Sequence, residues 1–422
     1  MTAVIGIINK QGIAIAADSA VTVTGANNRK IYNTANKIFT LSKYHPVGIM
    51  VYSSSEFISM PWEVIIKMFR SFLGEKSFPT LQDYQSAFID YLEEMSYFHD
   101  EDERKEAVRR SFTNIIQDLI KEALAALPRD ESDEDRLKAY FAELLNRNVD
   151  RYAQAYQEQE LLSAFEDYKF EDFQNNYREL IKEVATEHPN TPSIPIEVLP
   201  NLEYLLYVLI CTPNFFGGST GLVFAGFGSE EVYPSILRYK VGEVVADRLR
   251  IVQEVSDHVS AKNLAGIHPF AQTDVIDMFL TGIDPGVKQA YIGSVGNYLL
   301  GYNQVLAGLV EDEELRKKLL NLDVRPAVEQ LNVQFQQLER SLRFLPTIST
   351  VANLGKEDLA EMAESLIYLT YLKRRTSSSE ESVGGPIDVA IISKGDGFVW
   401  KKRKHYFEAE LNQAFFANYL RH

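Results

Sequence analysis

Threonine at position 2 is the residue whose chemistry stands out first. Removal of Met1, the usual fate of an initiator when the second residue is small, leaves Thr2 with both a hydroxyl and a free α-amine. Such an amine titrates at about 7.7–8.0, so near neutral pH it can act as general base for its own hydroxyl. Two further chargeable residues fall where charge is costly. Asp18 closes the apolar run Ile13 to Ala17, and Lys37 opens the apolar run that ends at Leu41. An unpaired buried ammonium is expensive, so a Lys in an apolar strand needs a partner, and Asp18 is the natural one. Plainer roles remain open: a turn-forming Asp, and a Lys whose stem carries its ammonium out to water.

Other motifs carry less. Gly217-Gly218-Ser219-Thr220-Gly221 satisfies G-x-S-x-G, but a nucleophile elbow must open a helix, and the following residues Leu222 to Phe227 are strand-like, so a turn is expected. The histidines at 45, 99, 188, 258, 268, 405 and 422 are scattered, with no pair at helical metal-ligand spacing, so no metal site is expected. The basic run Lys401 to His405 reads as a solvated strand edge.

The elements that must position Thr2, Asp18 and Lys37 are short strands. Ala3 to Ile8 and Ile13 to Ala17 form a hairpin turned at Gly12, and Lys37 to Leu41 precedes Val47 to Tyr52. These runs are continuous rather than alternating, as in a sheet covered on both faces. Ser53 to Glu56 is read as the cap of a helix over Phe57 to Phe72. Strands return at Leu222 to Phe227, Ser235 to Val241 and Val244 to Val255, with Gly228 and Gly242 at turns. A last pair follows at Ile387 to Ile392 and Phe398 to Trp400. Helical spacing marks 75–187, Thr273 to Leu280, 287–345 and Glu357 to Arg374, while the Pro-rich stretch 188–201 is expected to be neither helix nor central strand.

The net charge of −16 argues against a generic nucleic-acid or anionic-membrane binder. That charge is local: residues 75–187 hold 28 acidic and 14 basic side chains, nearly the whole imbalance. A single cysteine, Cys211, excludes an intrachain disulfide and suits a reducing compartment. The N-terminus lacks a signal-peptide pattern and no apolar run reaches spanning length, so a soluble, cytoplasmic protein with no membrane partner is expected.

The stretch TAVIGIINKQGIAIAADSAVT (2–22) resembles the opening of the proteasome β-subunit family of N-terminal-nucleophile (Ntn) hydrolases. Asn36-Lys37-Ile38-Phe39, Gly48-Ile49-Met50 and the turn Ser382 to Val389 are similar to later family segments, nearest the bacterial ancestral β-subunit-like branch. The resemblance covers about 2–72, 220–285 and 355–400. It implies an α+β fold, a four-layer αββα sandwich of two antiparallel sheets with large helical insertions. The core would be 2–72, 202–286 and 346–422. An acidic helical insertion would occupy 75–187, the Pro-rich connector 188–201, and a second helical insertion 287–345.

Carried across by position, the resemblance implies Thr2 as nucleophile, with Asp18 orienting Lys37, whose ammonium eases loss of the Thr2 hydroxyl proton. The oxyanion donor would be the backbone N–H of Tyr52 or Ser53, where the family's glycine is absent, and the Thr22 backbone would line the substrate groove. Support for the amine maps onto Glu380 or Glu381 with Ser382. Spacing favours Glu380 with Val383 at the hydroxyl position, whereas residue type favours Ser382. The family's serine between 266 and 274 has only Gln272 or Thr273 near it. The implied activity is hydrolysis of peptide bonds in a peptide or protein substrate, without a cofactor, by a homo-oligomer. The rival expectation is a non-catalytic assembly protein on the same fold that binds a partner through its helical insertions.

Overall fold

The computed structural model describes residues 2–24, 29–95, 100–128, 133–186, 192–215, 218–376, 383–414 and 417. The chain divides into two compact units. One comprises the residues up to Ile38, Val232–Pro234 and those from His258 onward; the other comprises Phe39–Glu231 and Ser235–Asp257.

The first unit begins with β1 (Val4–Asn9) and β2 (Gly12–Ala17), in which every residue is buried. They pair antiparallel from Val4 opposite Ala17 to Asn9 opposite Gly12, the expected hairpin. Gly12 is required there: its φ is 153°, and a Cβ would stand 2.5 Å from the Ile392 carbonyl oxygen. A second hairpin, β3 (Val21–Thr24) with β4 (Arg29–Tyr32), follows and was not expected.

The second unit holds β5 (Ile38–Thr40), β6 (Val47–Ser53), the short pair β7 (Glu56–Phe57) and β8 (Met60–Pro61), and helices α1 (Trp62–Leu73) and α2 (Leu81–Glu94). Helices α3 (Glu101–Ala125), α4 (Glu134–Tyr156), α5 (Phe170–Thr186) and α6 (Leu199–Cys211) come next. Strands β9 (Thr220–Gly226), β10 (Ser235–Val245) and β11 (Arg248–His258) complete it. Its sheet runs β11-β10-β9-β6-β5. Helices α1 and α2 cover it through Trp62, Phe69 and Phe88 against Leu222, Phe224 and Tyr239. Helices α3 to α6 share a separate core around Phe112, Phe165, Phe173 and Leu206. Asp100 and Asp133 cap α3 and α4, and carboxylates fill their first turns, where the helix dipole favours them.

Three expectations need correction here. Ser53 to Glu56 does not cap a helix: Pro61, extended, precedes α1. The cause is packing, since Phe57 stacks on Trp62 at 5.1 Å and both are buried, which draws the segment into a turn with Ile58 and Ser59 at positive φ. Gly242 lies inside β10, where the Phe215 ring fills the place of a Cβ at 2.8 Å. The β10–β11 turn falls instead on Ala246 and Asp247, both at positive φ. The Pro-rich connector gives its last residues to α6, which tolerates Pro200 in its first turn.

The first unit resumes with β12 (Ala265–Ala271), α7 (Asp274–Thr281), α8 (Pro285–Gly308), α9 (Glu313–Leu320) and α10 (Arg325–Glu339). A π-helical turn (Arg340–Phe344) joins α10 to α11 (Leu345–Val351). Then come α12 (Lys356–Thr376), β13 (Asp388–Ser393) and β14 (Gly397–Lys402). The sheet order is β12-β1-β2-β13-β14, with antiparallel pairing throughout. Helix α12 lays Leu359, Ala363, Leu366 and Ile367 against Ile5, Ile7, Ala14 and Ala16. The chain is thus α+β, built on antiparallel sheets with helices, as expected. Among the described residues no helix is long and apolar enough to cross a membrane.

Candidate active site

Strand β1 begins two residues after Thr2, and the β1–β2 ladder is extended toward Thr2 by side-chain chemistry. The Asp18 N–H donates to the Ala3 carbonyl at 3.1 Å, while the Ala3 N–H donates to Asp18 Oδ1 at 3.0 Å. Thr2 itself is buried, 7% exposed. Asp18 accepts further bonds at Oδ2 from the N–H groups of Ala20, at 3.2 Å, and Gly384, at 3.1 Å. A buried carboxylate needs this many donors to hold its charge away from water.

The ammonium of Lys37 completes the cluster. Its Nζ stands 2.6 Å from Asp18 Oδ1 and 2.6 Å from the Ala20 carbonyl oxygen. Asp18 and Lys37 are 1% and 4% exposed, so the alternatives of a solvated turn Asp and a Lys reaching water both fail. Burial pushes the Lys37 pKa below its ordinary value, and the attraction and hydrogen bond of Asp18 oppose that fall. A second pair adds to the field: Lys404, which lowers the Lys37 pKa, and Asp388, which raises it.

That second pair was missed in the sequence. Asp388 sits opposite Ala17 on β13, is 3% exposed, and accepts from the Lys404 ammonium and, at 2.8 Å, from the Lys404 N–H. Lys404 is therefore not part of a solvated strand edge: its charge is held by a buried aspartate. Lys401 and Lys402 lie within β14 and pair at the surface with Glu357 and Glu364.

The backbone around Asp18 is fixed by the segment before β13. Ser19 donates its N–H to the Gly384 carbonyl at 3.1 Å and its hydroxyl to the Pro386 carbonyl at 2.5 Å, and its own carbonyl accepts from Ala35 N–H. Gly385, at φ 77°, makes the turn possible.

The remaining candidates are distributed as follows. Thr22 lies in β3 opposite Ile31. Tyr52 and Ser53 belong to the second unit, at the end of β6, opposite Gly221 and Thr220. Gly221 makes room for the Tyr52 ring, whose phenol is pushed up to about 12 chiefly by burial. Ser53 adopts a left-handed φ of 75°. Glu380, Glu381 and Ser382 lie outside the described residues, whereas Val383 is buried. Gln272 follows β12, whose Ala271 pairs with Val4, so it stands at the same end of the sheet as Thr2. Its φ is 52° and its Oε1 accepts from Arg374 at 2.6 Å. Of the G-x-S-x-G segment, Gly217 lies outside the described residues, while Thr220 and Gly221 begin β9, so the segment leads into a strand and opens no helix.

No family model matches the chain, and no curated protein matches it. Among solved structures it is similar to a mutant form of Anbu from Hyphomicrobium sp. strain MC1, at 10% identity and a TM-score of 0.29, covering 100% of this chain and 95% of that one. It is similar also to Anbu from the same strain, at 10% identity and a TM-score of 0.28, covering 99% of this chain and 95% of that one.

Proposed function

We propose that this chain is an N-terminal threonine hydrolase that cleaves peptide bonds in a reducing, cytoplasmic setting. The observation that carries the reading is the buried Asp18–Lys37 pair, bonded through Asp18 to Ala3, the residue next to Thr2. A buried ammonium held beside a hydroxyl nucleophile eases loss of the hydroxyl proton by electrostatics.

In the proposed reaction the Thr2 Oγ attacks the peptide carbonyl carbon while the Thr2 α-amine takes the hydroxyl proton. The amine passes that proton to the leaving nitrogen as the C–N bond breaks, which leaves an ester on Thr2. Water then attacks the ester, giving its proton to the amine, and the acid product departs as the Thr2 hydroxyl is restored. Asp18 and Lys37 act as positioning residues. Thr22 is proposed to line the groove, and Glu380 with Ser382 to steady the amine. Peptide turnover by the protein from its native host, abolished by Thr2→Ala with the fold retained, tests the reading; turnover that survives Thr2→Ala ends it.

A second reading, a non-catalytic assembly protein, is favoured by α8, a helix of 24 residues in which Lys288 is the one charged side chain. A retained Met1 would select it, because an acylated Thr2 nitrogen cannot serve as base.

A further inference from the structure

A cavity of about 260 Å³ opens within the second unit, walled by the segment 54–59, helix α3 and strands β9 and β10. Its buried wall is apolar, with Phe57, Ile58 and Val241 facing the space. Ile58 is branched at Cβ yet has a φ of 45°, a strained combination that persists only where the surroundings enforce it. Two hydroxyls are set among these side chains. Thr220 Oγ1 accepts the Trp62 indole N–H at 2.8 Å, which fixes it and leaves its own hydrogen to donate. Ser111 is 5% exposed and lines the cavity, and among the described residues its hydroxyl has no hydrogen-bond partner, not even the Ala107 carbonyl one turn earlier in α3. Two opposite charges stand at the exposed rim. Arg110 of α3 and Glu56 of β7 both line the cavity, and among the described residues neither has an ion pair. The other lining carboxylate, Glu243, is held by Arg250 at 3.1 Å with both side chains buried, so it adds no free charge.

We propose that this cavity binds a small zwitterion, a free α-amino acid or a short peptide with an apolar side chain. The Arg110 guanidinium takes the carboxylate, which its planar fork of N–H donors fits, and Glu56 takes the ammonium. The Ser111 and Thr220 hydroxyls bond the remaining polar atoms, and the side chain packs on Phe57, Ile58 and Val241. Charge selects this class. Arg110 and Glu56 sum to zero, so a zwitterion leaves neither uncompensated, whereas an inorganic anion would face Glu56 and a simple amine would face Arg110. Size agrees, because the cavity lies just below the range of about 300–1,000 Å³ usual for small-molecule sites, which suits one or two residues rather than a long peptide. The site uses none of Thr2, Asp18 and Lys37, so it stands apart from the hydrolase reading.

The test is calorimetric titration of the full-length protein with L-leucine and with L-leucyl-L-leucine. The controls are N-acetyl-leucine, which lacks the ammonium, and leucinamide, which lacks the carboxylate. Saturable binding of at least one zwitterion is expected, and which one binds separates a free amino acid from a peptide. Each blocked compound is expected to bind at least about tenfold more weakly. Arg110→Gln and Glu56→Gln remove exposed, unpaired charges, so the fold and its circular dichroism are expected to be unchanged while affinity falls by about tenfold. Ser111→Ala is expected to weaken binding by about threefold. No saturable binding of either zwitterion, blocked compounds that bind as tightly, or an affinity unmoved by both Arg110→Gln and Glu56→Gln would overturn the proposal. Thr2→Ala is expected to leave binding unchanged, so failure here and failure of the catalytic reading are separable.

Discussion

Lys37 Nζ lies 2.6 Å from Asp18 Oδ1, with both side chains sealed from solvent, and the same Asp18 oxygen accepts the Ala3 N–H. One carboxylate thus anchors both the cation and the residue that follows Thr2.

Breaking this pair on one side leaves a buried charge uncompensated, which costs about 3–5 kcal/mol. Lys37→Met is expected to lower unfolding free energy by that amount, and Asp18→Asn/Lys37→Met to recover part of it, because Asn keeps an acceptor for Ala3. Urea unfolding of the two variants checks this; a loss below about 1 kcal/mol for Lys37→Met would show that the pair is not isolated from water.

Gly385→Ala forces a Cβ to 2.8 Å from Asn33 Cβ and 3.2 Å from Ser19 Cβ, at a φ of 77°. A destabilisation of about 1–3 kcal/mol is expected. Peptide turnover should fall with it, since the neighbouring Gly384 N–H orients Asp18. Thermal unfolding alongside turnover separates the two effects.

The proposed mechanism gives a bell-shaped dependence of kcat/KM on pH. The rate is expected to rise as the Thr2 amine loses its proton, at about 7.7–8.0 if unperturbed. It should fall again as Lys37 is deprotonated, and because burial lowers that pKa, the alkaline limb should begin below 10.5. A rate that keeps rising through pH 10.5 would remove Lys37 from the mechanism.

Burial pushes the phenols of Tyr52 and Tyr177 up to about 12. An unfolded chain releases such protons near pH 10, so between about 10 and 12 the folded state holds more protons and stability falls as pH rises. Urea midpoints over that range should drop, and less steeply in Tyr52→Phe/Tyr177→Phe.

The site's central pair was legible because physics leaves a Lys in an apolar strand few options, and Asp18 was placed to supply the one it took. The β1–β2 hairpin was equally readable from Gly12 and its continuous apolar flanks. What escaped depended on tertiary neighbours. Asp388 and Lys404 are each ordinary in sequence, and only the β13–β2 register brings their pair beside Asp18. Strand β12 contains His268 and Pro269, which break a strand pattern, yet as the edge of its sheet it tolerates the proline. The Ala246-Asp247 turn carries no glycine, so Gly242 drew the expected turn away from it.

The most direct measurement is the intact mass of the protein from its native host, before and after incubation with a peptide epoxyketone that reacts with a terminal amine and its adjacent hydroxyl together. The account predicts a chain one methionine lighter than encoded that gains a single adduct, lost in Thr2→Ala. A chain that keeps Met1, or a processed chain that takes up no adduct, would contradict the claim that Thr2 is the nucleophile.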